Sequence, residues 1–176
     1  MILEDLQKGI ADRLLWDAYF TEPGKVVAVI EENPMDLATE FDTALAKGSG
    51  AAVVVARPSV TPTERVDLMD IAVTLLISEN VTLNRAKSGS GKTASSIAIK
   101  ALALLRHWSP DEDLWAPFLL QNLAPLGSDD DGCDHWTLEL KTQTVFDLLV
   151  TMLGTERGTA IGDEAGTGLI VSPTSA

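Results

Sequence analysis

Cysteine is nearly absent from this 176-residue chain: Cys133 stands alone, so no internal disulfide can form, and the expected folding compartment is a reducing cytosol. Histidine is also scarce, with two in the whole sequence. Positive charge is in short supply, 13 Lys and Arg against 26 Asp and Glu, which gives a formal net charge of -13. Tight binding to DNA or RNA depends on clustered cations that release counterions from phosphates, so this balance argues against it. No apolar run approaches the 18 residues of a membrane helix; the best stretch is interrupted by Asp70 and Glu79. The opening MILEDLQKGIADRLLW carries acids where a secretory signal has a basic end and an unbroken apolar stretch. A soluble product made in the cytoplasm, with no membrane partner, is expected. Hydrophobic residues make up 45% of the chain, enough for the core of one domain with or without a tail.

Periodicity divides the chain into elements. Leu3, Leu6, Ile10, Leu14 and Ala18 recur at three and four and predict an amphipathic helix over residues 2–19. Val26, Val27, Val29 and Ile30 predict a short strand over 25–31, because β-branched side chains favour extended backbone. Asn33 before Pro34 has the form of a helix cap, opening a second helix that stops at Gly48. The apolar run 51–56 does not alternate, which predicts a central strand covered on both faces. A loop over 58–64 leads to a long strand in which Val66 and Leu68 alternate on one parity and Ile71, Val73, Leu75 and Ile77 on the other, the pattern of a β-bulge near Met69 and Asp70.

Residues 80–92 turn polar and glycine-bearing, and Ala94, Ile97, Ala98, Ala101, Leu104 and Leu105 then mark a third helix. Residues 111–135 give no clear period, although 127–134 has the composition of a solvated acidic loop. Alternation from Trp136 to Phe146 predicts a last antiparallel strand with one wet face. The resulting class is α+β: a mixed, mainly antiparallel sheet with helices packed on one face. The domain spans 1–153, and the Gly-rich residues 154–176 form a flexible C-terminal arm.

Ser88-Gly89-Ser90-Gly91-Lys92-Thr93, between an extended segment and a helix, invites a nucleotide-binding reading in which Lys92 and Thr93 hold phosphate and magnesium. The phosphate-loop pattern places glycine where this chain has Ala86, and neither short buried strand ends in an isolated Asp for magnesium. The simpler reading is a Gly-Ser loop whose Thr93 or Ser90 caps the third helix. The cluster Asp129, Asp130, Asp131, Cys133, Asp134 and His135 does not fit a calcium loop, since the sixth position is Asp134 and the twelfth Leu140. No nucleophile stands in a recognisable catalytic context, so neither catalysis nor a cofactor nor a bound metal is expected. Arg85, Lys87, Lys92, Lys100 and Arg106 form the one stretch where the charge balance reverses. They are candidates for a contact patch toward an acidic surface, such as another copy of the chain.

The order of elements, with Leu6, Ile10 and Leu14 in the opening helix, Phe41 and Leu45 in the second, the helix 94–105 and the strand 136–146, resembles the tail terminator proteins of long-tailed bacteriophages. The stretch Glu79-Asn80-Val81-Thr82-Leu83-Asn84-Arg85 and the helix ending in His107-Trp108 carry the same likeness, which spans residues 1–150. The resemblance implies a non-catalytic virion protein that forms a ring, typically a homohexamer, in the neck region of the tail. It would stop polymerisation of the tail tube protein and dock the head-side connector protein, while genomic DNA passes through unbound. Another head–tail connector or tail adaptor is the alternative, and a nucleotide-binding protein a more distant one.

Overall fold

The computed structural model describes residues 2–33, 35–65, 68–88 and 92–145. The elements are α1 (Ile2–Trp16), α2 (Ala18–Thr21), β1 (Ala28–Glu31), α3 (Leu37–Asp42), a π-helical turn (Thr43–Lys47), β2 (Ala51–Val55), β3 (Ser59–Pro62), β4 (Leu68–Asn80), α4 (Val81–Ser88), α5 (Ala94–Leu105), β5 (Leu119–Ser128) and β6 (Cys133–Val145). One six-stranded sheet has the order β1-β2-β4-β6-β5, with β3 also paired to β4. The β1–β2 pair is parallel and every other pair antiparallel, as the α+β class requires.

The spine of the sheet is the β4–β6 pair, in register from Leu68↔Val145 to Asn80↔Cys133. Along the other edge of β4, β2 pairs with its second half and β3 with its first. Ile71, Val73, Leu75 and Ile77 alternate into the core with Leu138 and Leu140 of β6, and α1 and α5 cover them with Leu6, Ile10, Leu14, Ile97 and Ala101. Each buried Val, Leu or Ile among them contributes about 1.5–3 kcal/mol. All five residues of β2 are buried because the strand is covered twice. Ala51, Val53 and Val55 face α1 and α5, while Ala52 and Val54 face a smaller cluster of Ala44, Leu45, Ile30 and Cys133.

Several expectations are corrected. The first helix breaks at Asp17, whose carboxylate accepts the Tyr19 N–H at 2.8 Å and caps α2. Asn33 forms a local turn, with its Oδ1 accepting the Met35 N–H at 3.3 Å, and regular helix begins only at Leu37. Helices cover both faces of the sheet: α1 and α5 lie on one, α3 and the π-helical turn on the other, because β2 has no wet face to offer. The segment 58–64 contains β3, and 80–92 contains α4, for which Asn80 Oδ1 accepts the Leu83 N–H at 3.0 Å. No bulge interrupts β4 against β6 or β3; Leu68 is half-buried on the opposite face from Ile71, lining a cleft with Trp115 and Val145. The bulges lie instead in β5, between Leu120 and Asn122 and between Pro125 and Gly127. The acidic loop narrows to a turn at Asp129–Gly132. Val66, Phe146 and the arm 154–176 lie outside the described residues.

Candidate functional site

The end of β4 delivers Glu79 to the start of α5. Glu79 is 2% exposed; its Oε1 accepts the Asn84 Nδ2–H and its Oε2 the Ala94 N–H, both at 2.8 Å. The carboxylate thus satisfies a backbone donor in the first turn of α5 and meets the positive end of its dipole. Asn84 Nδ2 also donates to the Lys92 carbonyl at 3.0 Å. Thr93 caps the helix, its Oγ1 accepting the Ser96 N–H at 3.2 Å, as the Gly-Ser loop reading expects. Gly50, at φ +80°, lets α4 approach this network: a Cβ there would lie 2.8 Å from the Asn84 nitrogen.

Lys92 points inward. Only 8% exposed, its ammonium donates to the carbonyl of Tyr19 and, at 2.5 Å, to that of Lys25; it lies 3.5 Å from Glu22 Oε2 and 4.7 Å over the Tyr19 ring. Burial holds its pKa below the usual lysine value, with Glu22 pulling the other way. The two residues that a nucleotide reading would use therefore have other partners, and β4 runs antiparallel to β2 where a phosphate-loop fold has parallel strands.

One of the five basic residues does not face solvent as a surface patch needs. Lys92 is removed from it by burial, because the carbonyls at the end of α2 and in the turn after it need a donor. Arg85 and Lys87 lie on α4, and Arg106 is exposed at the C-terminal cap of α5. Lys100 pairs at 2.8 Å with Asp17, the residue that caps α2. Its ammonium, followed by the Tyr19 N–H, holds the Asp17 carboxyl below the usual range. Sequence reasoning missed Arg13, whose guanidinium carbon lies 5.3 Å from the Trp16 ring centre and 5.6 Å from that of Trp108. The available signal was the spacing Arg13-x-x-Trp16, which puts both on one helix face.

At the β5–β6 turn, Asp129 Oδ1 accepts the Cys133 N–H at 2.8 Å and the Asp131 N–H at 3.0 Å, and Oδ2 lies 3.0 Å from His135 Nε2. These contacts, the Cys133 N–H first, hold its carboxyl below the ordinary value. His135 Nδ1 is 2.8 Å from Ser78 Oγ. The three types recur in hydrolases, but Ser78 is fully buried between strands, so its hydroxyl meets no solvent and serves to fix the turn to the sheet. Among the described residues no three His, Cys, Asp or Glu side chains are grouped to hold a metal, and no helix is long and apolar enough to cross a membrane. A cleft of about 480 Å³ at the end of β1 is acidic, lined by Glu4, Glu31, Glu32 and Glu40 with Arg57 as its cation.

The fold class these features define is a mixed α+β sheet with one long antiparallel spine and two helical covers. No protein-family model matches the sequence, and no curated protein matches it. The fold is similar to that of a chain in the solved structure of the virion of a native gene transfer agent particle. The TM-score is 0.53 at 12% identity, covering 80% of this chain and 94% of that one. At that identity the likeness is one of fold.

Proposed function

We propose that this chain is a structural protein of a phage-like virion, and that it acts as a tail terminator. Copies would form a ring, a hexamer by analogy with the family it resembles, at the head-proximal end of the tail. The ring would end polymerisation of the tube protein and offer a docking face to the head-side connector, with DNA passing through unbound. The carrying observation is the fold likeness to a chain of a gene transfer agent virion, which takes in 94% of that chain. Two further features support the reading. The surface carries two unlike regions, an acidic cleft at β1 and an α1–α5 face with exposed Trp16 and Arg106, and head-to-tail rings need unlike surfaces. The net charge of -13 suits a lumen that must pass nucleic acid without holding it. The groups that most resemble catalytic machinery, Lys92, Thr93 and Ser78, are engaged in holding the fold, which favours a role without chemistry or cofactor.

The test is deletion of the gene from the particle-encoding cluster followed by electron microscopy. Overlong tails detached from filled heads are expected, and restoration of the gene should rescue them. Tails of normal length that fail to join heads would indicate a connector or adaptor instead. Normal infectious particles would remove the virion role altogether.

A further inference from the structure

We propose that the outer edge of β1 accepts an extended, basic segment of another protein as an added strand, seated in the acidic cleft beside it. The proposal goes beyond the terminator role, and its test does not depend on that role.

The backbone of β1 is the first observation. β1 ends the sheet and is paired on one side only, to β2. Just past it, the Glu32 N–H donates to the Val55 carbonyl at 3.0 Å. In a parallel pair, alternate residues turn both backbone groups toward the same neighbour. Ala28, Ile30 and Glu32 therefore face β2, while Val29 and Glu31 each turn an N–H and a C=O away from the sheet. Among the described residues no strand or loop pairs with that edge. The other edge strands carry the usual protection: β3 and β5 hold Pro62 and Pro125, and β5 is bulged twice. β1, with the sequence AVIE, has neither proline nor bulge.

The second observation is the room and charge beside it. The cleft of about 480 Å³ is lined by residues 29–33, with Glu4 and Gln7 of α1 and Glu40 of α3. Val29 and Glu31 share the face on which α1 packs, whereas α3 covers the opposite face, so Glu31 and Glu40 flank the free edge from its two sides. Both are exposed, and neither makes an ion pair among the described residues. Arg57 is the one cation lining the cleft, and it is held by Glu32: its N–H donates to Glu32 Oε2 at 2.8 Å and its Nε to the Glu32 carbonyl. Lys8, whose field reaches Glu31, is paired with Asp12 at 2.6 Å.

These two features select the occupant. Outward N–H and C=O groups in alternation are matched by another extended main chain, the mode of recognition by strand addition. An added strand sends its side chains alternately to both faces, and Lys or Arg there meets Glu31 on one side and Glu40 on the other. The same carboxylates repel an acidic segment. A metal ion is the poorer fit, since no three ligating side chains are grouped among the described residues.

The experiment titrates full-length protein into a labelled, capped peptide of Thr and Lys, with Lys on both faces of the extended chain, and follows fluorescence anisotropy. Amide hydrogen exchange resolved to single residues is measured on the same mixture. The peptide should bind, more weakly as salt rises, and a Thr and Glu peptide should not. Near saturation the Val29 and Glu31 amide protons should exchange about tenfold more slowly than in the free protein. Glu31→Gln with Glu40→Gln should weaken binding about tenfold, the worth of two exposed charge contacts, while circular dichroism stays unchanged. The proposal is overturned by absence of binding at millimolar peptide, by equal binding of the acidic peptide, or by undiminished binding to the double variant. Binding that leaves exchange at Val29 and Glu31 unaltered also overturns it, because charge alone would then hold the peptide.

Discussion

Glu79 Oε2 accepts the backbone N–H of Ala94 at 2.8 Å, joining the end of β4 to the first turn of α5. The helix start that a phosphate cradle would use is thus met by the protein's own carboxylate, where an anion would otherwise bind.

Replacing Glu79 with Ala leaves the Ala94 N–H and one Asn84 donor without this acceptor in a buried setting. A loss of about 2–4 kcal/mol in urea unfolding is expected. Glu79→Gln retains one acceptor and should lose roughly half as much. Equal losses for the two variants would show that packing, not hydrogen bonding, is what the side chain supplies.

Lys92→Met removes the donor held by the Tyr19 and Lys25 carbonyls, and about 1–3 kcal/mol of stability should go with it at pH 7. The folded pKa of Lys92 lies below 10.5, so its titration favours the folded state above the unfolded value and loses that contribution as pH falls through the folded one. The stability gap between wild type and variant should therefore widen as pH rises toward 10.5 and stay flat below the folded pKa. Neither protein should show a thermal shift with Mg-ATP. A shift present in wild type and absent from Lys92→Met would restore the nucleotide reading.

Asp129 has a folded pKa below 3.8, so its contribution is present above that value and disappears as pH falls through the depressed one. Asp129→Asn should melt below wild type at neutral pH, and the gap should close in acid. A gap that persists unchanged at the acid limit would mean that the carboxylate charge is not what secures the turn.

Much of this architecture was legible because burial writes itself into side-chain pattern. The unbroken apolar run of β2, the alternation of β6 and the Thr93 cap of α5 each follow from where water is excluded. What escaped has little such pattern. Strand β5, LLQNLAPLGS, is exposed along most of its length, contains Pro125 and is bulged twice, so neither alternation nor composition marks it. Strand β3 is exposed at all four positions and ends in proline. Helix α4 opens with Val81 and Thr82, poor helix formers; its signal was the Asn80 cap. The site was legible only in part, since residue type marks Lys92 as a cation, but whether it faces solvent or the Tyr19 carbonyl is decided by the packing of α2 against the start of α5. Arg13 and Trp16 became visible as a pair once α1 was set beside Trp108.

The most direct test is to add purified full-length protein to tail-tube protein polymerising in vitro and to measure tube length by electron microscopy. The account predicts ring density at one end of each tube and an early halt to growth in proportion to the protein added. Tubes of unchanged length with bare ends at every ratio would contradict it.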